Sequence, residues 1–160
     1  MYERILVPLD GSPLAESVLE HVTPIAEKFG AEIVLLQVVS TFAEIVSKTM
    51  PRESFPSPTL QDMSVEAAQA QHDAEQATAT SYLEKQRQSL TSKGLKASVD
   101  VREGPAPAAV IIAVALDRDC DLIAMSSHGR SGLGRAVFGS VTDDVLRNSP
   151  LPLLLIRGRE

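Results

Sequence analysis

The sequence has few of the residues that build metal, redox or disulfide sites. Its 160 residues include one cysteine, Cys120, so no intramolecular disulfide can form. No CxxC pair or Cys/His cluster offers a zinc site, and His21, His72 and His128 are too scattered for a metal triad. Cys120 precedes the apolar segment Leu122–Met125 and is expected to be a small core residue at a strand entrance. The sequence therefore predicts no protein-held metal.

Positive charge and long apolar runs are also scarce. Lys and Arg total 15 against 21 Asp and Glu, which gives a net charge of −6 at pH 7. Such a balance argues against a protein that coats nucleic acid or anionic lipid. No segment approaches the ~20 apolar residues that span a bilayer, and the first residues lack the pattern of a signal peptide. We expect one cytoplasmic domain over residues 1–160, with no nucleic-acid and no membrane partner.

Apolar runs and helical periodicities alternate along the chain. The predicted strands cover residues 4–9, 31–39, 96–102, 121–125 and 151–156, and the predicted helices cover 13–29, 64–93, 108–116 and 140–148. Residues of about 40–63 carry Pro51, Pro56 and Pro58 and are expected to form an inserted loop. Strict alternation predicts an α/β fold, namely an open five-stranded parallel sheet, doubly wound, with helices on both faces.

Two of these elements carry a more specific expectation. The third strand alternates polar and apolar residues, with Ala97, Val99 and Val101 inward, as expected of a strand near a sheet edge. In the predicted helix over residues 64–93, the apolar residues at helical spacing are mostly alanines. Its predicted buried face consists of Ala67, Ala70, Ala74, Ala77, Leu83 and Leu90.

Ligands of a doubly wound sheet bind outside the carboxyl ends of the strands, where the strand order reverses. This rule selects Asp10–Ser12, Val38–Ser40 and the segment 126–140. The last has four of the nine glycines within 129–139, and it leads into a helix whose first turn presents free amides. Arg130 and Arg135 add positive charge. A phosphate site is the functional interpretation.

Simpler interpretations of the same residues stay open. The glycines can form a plain connector, and Ser140 with Asp143 can form a capping box. Asp143 and Asp144 would compete with a phosphate for the helix dipole. Asp10 can contact a ribose or a base, or only start the turn by accepting a backbone hydrogen bond. His128 contacts a ligand or shapes the loop.

Familiar phosphate and nucleophile motifs are incomplete. A Walker A loop requires lysine where Ser140 stands, and the dinucleotide fingerprint is absent after the first strand. The second strand ends at Ser40, with no acid for a ribose diol. The nucleophile elbow G-x-S-x-G requires glycine at Leu133. These absences exclude the common kinase, dehydrogenase and hydrolase classes.

Three segments together resemble the universal stress protein family: Ile5–Ser12, Met125–Leu133 and Leu151–Ile156. The family's nucleotide motif, G-x2-G-x9-G-[ST], falls on Ser126, Gly129, Gly139 and Ser140. Ser126 replaces the first glycine, and the rest keeps the spacing. The resemblance covers essentially the whole chain and implies a Rossmann-like fold of the adenine nucleotide alpha hydrolase type.

The resemblance also implies ATP as ligand, with Mg²⁺ or Mn²⁺ carried on the triphosphate. In such proteins the acid after the first strand, here Asp10, contacts ribose or adenine, and the backbone at Val38 reads the adenine edge. The phosphates would lie against Gly129, Gly139 and Ser140. The complete set of implied ligand residues is Pro8, Leu9, Asp10, Ser12, Val38, Met125, Ser126, His128, Gly129, Arg130, Gly132, Gly139, Ser140, Val141 and Thr142.

The predicted last strand, Leu151–Ile156, is almost wholly apolar. As an edge strand it would need a partner, and pairing with a two-fold copy would supply one. The resemblance likewise implies a homodimer through this strand. The alternative is an inner strand already covered within the monomer.

The leading functional hypothesis is a nucleotide-binding stress-response protein that senses or signals, with at most slow ATP hydrolysis and no assigned catalytic residue. The alternative is an interaction module that binds no nucleotide and acts through its dimer surface or the 40–63 segment. An adenylate-forming ligase is disfavoured, because Ser-Gly-Gly does not precede Asp10–Ser12.

Overall fold

Five parallel strands form one sheet in the computed structural model, which describes residues 1–49, 58–127 and 139–157. The strands are β1 (Arg4–Pro8), β2 (Glu32–Val39), β3 (Lys96–Glu103), β4 (Leu122–Ser127) and β5 (Leu153–Arg157). Their order is β3-β2-β1-β4-β5. The chain therefore builds outward from β1 to one edge and then continues on the other side of β1, which confirms the predicted doubly wound α/β sheet.

Six helices lie in the described ranges. They are α1 (Pro13–Glu16), α2 (Val18–Phe29), α3 (Phe42–Thr49), α4 (Pro58–Thr91), α5 (Pro107–Asp117) and α6 (Ser140–Asn148). Helices α2 and α4 contribute to the hydrophobic cluster on one face of the sheet, and α5 and α6 contribute to the cluster on the other. Helices on both faces were predicted, and this is confirmed.

The central strand explains how the two clusters are held together. Ile5 and Val7 belong to the α2/α4 cluster and Leu6 to the α5/α6 cluster, and all three are fully buried. Burying each such side chain stabilises the fold by about 1.5–3 kcal/mol. The continuous apolar run in the sequence is therefore the mark of a strand covered on both faces.

Both outer strands lie where the sequence suggests an edge. Ala97, Val99 and Val101 of β3 pack, partly buried, on the α2/α4 cluster, which confirms the predicted half-exposed strand. Strand β5 is the opposite edge, so the alternative of an inner strand is wrong for the monomer. Its side chains from Leu153 to Ile156 are all half-buried.

The first predicted helix is divided in two. Ser12 caps α1 by accepting a hydrogen bond from the Ala15 amide at 3.1 Å, as its sequence position predicts. The break falls at Ser17, whose hydroxyl donates to the Leu14 carbonyl oxygen at 2.7 Å. Such a bond competes with the regular helical ladder. Helix α2 then ends at Gly30, which has the left-handed φ of 68°.

The segment 40–63 is not the irregular loop that its prolines suggest, because it contains α3 and the start of α4; residues 50–57 lie outside the described ranges. Thr41 and Glu44 form a reciprocal capping box at the start of α3. The Thr41 amide donates to Glu44 Oε2 at 2.8 Å, and the Glu44 amide donates to Thr41 Oγ1 at 3.2 Å. The T-x-x-E spacing was a readable signal for this helix.

The buried face of α4 differs from the prediction. Ala67, Ala70, Ala74 and Ala77 are exposed, whereas Leu83 and Leu90 are buried as expected. The buried alanines are Ala68 and Ala79. Exposing or burying an alanine methyl group changes the free energy of unfolding only slightly. The rotation of this helix is therefore set by the large leucines and by a row of polar contacts.

Two of those polar contacts tie α4 to the carboxyl ends of strands. His72 Nε2 lies 2.7 Å from Glu103 Oε2 at the end of β3, and the imidazole also stands edge-on to Phe42. Glu75 Oε1 accepts from both the amide and the hydroxyl of Ser40, each at 3.3 Å. Helix α4 is thereby anchored beside β2 and β3.

We predict that the His72 contact makes stability depend on pH. The hydrogen bond to Glu103 raises the pKa of His72, an effect that partial burial opposes and that the Glu103 and Asp73 carboxylates reinforce. Because the pKa of His72 is higher in the folded state, protonation of this residue stabilises the fold. The full stabilisation is present at pH values below the unfolded-state pKa of about 6.5, and it is lost as the pH rises through the folded-state pKa. H72Q should therefore lower the thermal midpoint more at about pH 6 than at about pH 9.

The matched control is H21Q, because His21 is exposed on α2. Its midpoint should follow that of the wild-type protein across the same pH range. An H72Q deficit that does not change with pH would contradict the predicted charge–charge contribution.

Candidate functional site

A cavity of about 340 Å³ opens at the carboxyl edge of the sheet, where β1 and β4 lead their chains in opposite directions. This is the switch point that the sequence argument selects. The residues that line it are Pro8, Leu9, Asp10, Ala15, Val38, Pro107, Ile111, Met125, Ser126, Gly139, Ser140, Val141 and Thr142. Ten of the fifteen predicted ligand residues are therefore brought together around one cavity.

The turn after β1 is built by its own side chains. Asp10 Oδ1 accepts a hydrogen bond from the Ser12 amide at 2.9 Å, and Gly11 has a φ of +80°. Asp10 thus starts the turn, as one interpretation of the sequence held, and it also lines the cavity. Ser12 is not among the lining residues, because its hydroxyl caps α1 instead.

Helix α6 directs its amino terminus at the same cavity. Its N-cap is Gly139, which has no side chain to cap the first turn. Asp143, the partner of Ser140 in the alternative capping box, instead accepts from Arg147 Nε at 2.8 Å. The capping-box interpretation is therefore wrong, and the first-turn amides with the positive end of the helix dipole face an anion-sized space.

The α6 terminus is held to β4 by a buried hydroxyl. Thr142 is 5% exposed, and its Oγ1 donates to the Ser126 carbonyl oxygen at 3.2 Å. Ser126 is half-buried and lines the cavity beside Met125. The residue that departs from the glycine of the nucleotide motif therefore stands in the cavity wall, at the point where α6 is attached.

The remaining wall is apolar, and part of it was not predicted. Pro107 and Ile111 of α5 line the cavity together with Val38, and Ala15 of α1 also lines it. Helix α5 is apolar on all sides, so no periodic pattern distinguishes the residues that face a ligand from those that face the sheet. Asp10 is the one charged residue among the described lining residues.

Four predicted ligand residues, His128, Gly129, Arg130 and Gly132, lie outside the described residues, as does Arg135. The positive charge expected at this site is therefore carried by residues that the described geometry does not include.

The cysteine and the other potential metal ligands do not form a second reactive site in the described residues. Cys120 is buried in the α5/α6 cluster, and burial raises the pKa of its thiol to about 11, against the smaller opposing effect of Arg118. In residues 1–49, 58–127 and 139–157, no three His, Cys, Asp or Glu side chains are grouped so that they could hold a metal ion. No helix in those ranges is long and apolar enough to cross a membrane.

We predict a backbone requirement at Gly11. A Cβ there would meet none of the described residues within 4 Å, so the cost of G11A is expected from the left-handed φ. That strain is about 1–2 kcal/mol for an ordinary L-residue. Chemical denaturation should show G11A destabilised by about this amount, and G11N should recover part of it because asparagine tolerates the conformation. Equal stability of G11A and the wild-type protein would contradict the strained turn.

Comparison with known proteins gives a consistent family. A model of the universal stress protein family matches residues 1–157. Universal stress protein MJ0577 of Methanocaldococcus jannaschii is 29% identical over 168 residues, which cover 98% of this chain and 96% of that protein. Universal stress protein MJ0531 of the same organism is 27% identical over 157 residues, covering 98% of this chain and 83% of that protein.

Solved structures agree with the sequence relatives. The structure of MJ0577 superposes with a TM-score of 0.73 at 28% identity, over 100% of this chain and 99% of that one. UspA from Lactobacillus plantarum has a TM-score of 0.69 at 25% identity, over 98% of each chain. A universal stress protein in complex with cAMP shares the fold, with a TM-score of 0.58 at 18% identity over 99% of this chain and 98% of that one. By its family match, its relatives and its sheet, this chain belongs to the universal stress protein family.

Proposed function

We propose that the cavity binds ATP and that the chain is a nucleotide-binding stress-response protein. The observation that carries this proposal is one cavity that joins three kinds of surface: apolar walls, the Asp10 carboxylate and the uncapped amino terminus of α6. Its volume of about 340 Å³ is within the range of small-molecule sites. These three surfaces match the base, the sugar and the phosphates of an adenine nucleotide.

The apolar walls suit a flat base. Val38 lies at the end of β2, and Ile111 and Met125 supply aliphatic surface around it. The backbone at Val38 would read the adenine edge, and the Asp10 carboxylate would accept from the ribose hydroxyls. Because Oδ1 already accepts from the Ser12 amide, the other carboxylate oxygen has the greater capacity for the sugar.

The phosphates would lie at the start of α6. Backbone amides of Ser140 and Val141 and the helix dipole favour an anion, and Gly139 lets the chain approach it closely. Mg²⁺ or Mn²⁺ would enter on the triphosphate. The glycine-rich segment with His128, Gly129, Arg130 and Gly132 would supply further contacts.

Slow turnover at most is expected of this site. Asp10 is the one acidic residue of the described lining, and one of its oxygens is engaged in the turn. Ser126 and Ser140 are better suited to donate to phosphate oxygens than to act as nucleophiles, since neither has a described hydrogen-bonded base. We expect a cytoplasmic protein that senses or signals through nucleotide binding.

We predict that D10N weakens ATP binding. Asparagine keeps the acceptor toward the Ser12 amide but replaces the remaining carboxylate oxygen with a donor, so the ribose hydroxyls lose a charged acceptor. A hydrogen bond to a charged group contributes about 1.5–3 kcal/mol, which corresponds to a loss of roughly tenfold or more in affinity. Calorimetric titration with Mg-ATP measures it, after mass spectrometry of the freshly purified, denatured protein for co-purified nucleotide.

The matched control is D119N. Asp119 is exposed and stands at the opposite edge of the sheet, before β4, with the positive φ of 50° that asparagine tolerates. D119N should bind as the wild-type protein does. If the wild-type protein neither releases adenine nucleotide nor binds millimolar Mg-ATP, the proposal is wrong and the interaction module remains.

We further propose that β5 pairs with a second copy of the chain. Among the residues that the structure describes, β5 is an edge of the sheet with no strand on its outer side, and four consecutive apolar residues are half-exposed along it. Strand β3, the other edge, carries Lys96, Asp100 and Arg102, which protect it from such pairing. Antiparallel pairing of β5 about a two-fold axis would cover both the backbone and the leucines.

This predicts a dimer that is sensitive to charge on β5. The double variant L154K/I156K should sediment as a monomer at concentrations where the wild-type protein sediments as a dimer, because lysines facing their copies would repel. V99K/V101K is the matched control, since these residues also pack partly buried on the α2/α4 cluster but on the other edge. A monomeric wild-type protein, or equal dissociation of both folded variants, would contradict a β5 interface.

A further inference from the structure

Helix α4 reaches the turn that carries Asp10 from the side away from the cavity. Tyr82 Oη donates to Glu16 Oε1 at 2.9 Å, and Gln86 Nε2 donates to the same oxygen at 3.1 Å. Glu16 is the last residue of α1, the short helix that the Asp10–Ser12 turn begins. One carboxylate oxygen therefore links the turn-bearing helix to two successive turns of α4.

The Glu16 contact reaches the turn through Ser12. The Glu16 amide donates to the Ser12 carbonyl oxygen at 3.1 Å, and the Ser12 amide donates to Asp10 Oδ1 at 2.9 Å. Burial raises the pKa of Tyr82, and the hydrogen bond to Glu16 and the Glu16 and Asp10 charges add to the rise. The phenol therefore stays protonated at physiological pH and remains a donor to Glu16.

The segment needs such support. Helix α1 has four residues, too few to be stable on its own, and Gly11 is the residue with the greatest freedom to leave its conformation. On the strand side, the Leu9 amide is held by the Leu36 carbonyl oxygen at 2.8 Å. On the helix side, Tyr82 and Gln86 supply the contacts, both to Glu16.

We propose that Tyr82 is a positioning residue for nucleotide binding: by holding Glu16 it fixes α1 and, through Ser12, the turn, so that the Asp10 carboxylate faces the cavity. This role rests on the proposed function, because its effect on affinity requires that the cavity bind a nucleotide. Tyr82 itself is not among the lining residues.

The test is Y82F, which removes only the hydroxyl. Loss of one ordinary hydrogen bond predicts that calorimetry with Mg-ATP will show an affinity roughly threefold to tenfold lower. The matched control is Y2F, because Tyr2 stacks edge-on against Phe29 at the far edge of the sheet, with ring centroids 5.6 Å apart. Y2F should bind as the wild-type protein does.

A double-mutant cycle distinguishes positioning of Asp10 by Tyr82 from a general destabilisation of the fold. If Tyr82 acts through Asp10, Y82F should weaken binding much less in a D10N background than in the wild-type background. Additive losses, or a Y82F affinity within twofold of wild type, would overturn the role.

A readout without nucleotide completes the test. The Ser12 and Glu16 amides should exchange faster in the nitrogen–proton NMR spectrum of Y82F, and E16A should cause the same change at Ser12 if Y82F folds poorly. Unchanged exchange at both amides overturns the effect of Tyr82 on the turn. A wild-type protein that binds no Mg-ATP overturns the proposed function and this role together, whereas wild-type binding matched by Y82F overturns this role alone.

Discussion

The candidate site depends on the pairing of β1 with a parallel neighbour on each side. Arg4–Pro8 align with Glu32–Leu36 of β2, and Ile5 and Leu6 align with Leu122 and Ile123 of β4. Three strands therefore end at the same edge, and their continuations diverge because β2 and β4 lie on opposite sides of β1. The crevice is a consequence of the strand order, and side chains only determine what it can bind.

The turn after β1 uses most of its polar capacity to hold itself. One Asp10 oxygen accepts from the Ser12 amide, the Ser12 hydroxyl accepts from Ala15, and Glu16 is engaged by α4. From this turn, a ligand meets chiefly one carboxylate oxygen, that of Asp10 which does not accept from Ser12. A turn with so few free polar groups gains specificity from their placement, which gives the supporting contacts from α4 functional weight.

Sequence patterns predicted those parts of the fold in which large apolar side chains or glycines decide the structure. The run from Ile5 to Leu9 and the left-handed Gly30 are examples. The cavity wall from α5 was missed because an all-apolar helix has no distinguishable face. The capping box that the sequence left open as an alternative at α6 does not form, because Gly139 is the N-cap and Asp143 pairs with Arg147. In both helices several local arrangements are compatible with the sequence, and tertiary packing determines which of them forms.

Helix α4 shows the same limit most clearly. One row of its buried or half-buried residues follows alternating spacings of four and three, and four of its six members form polar side-chain contacts: Ala68, His72, Glu75, Ala79, Tyr82 and Gln86. The exposed alanines at 67, 70, 74 and 77 keep a similar spacing about one residue away, so hydrophobicity alone favours the wrong face. The contacts of His72, Glu75 and Tyr82 with Glu103, Ser40 and Glu16 remove this ambiguity. Glu103 ends β3, Ser40 follows β2, and Glu16 ends the short helix that follows the β1 turn. The interactions that set the rotation of α4 therefore act at the carboxyl edge of the sheet, where the candidate site lies.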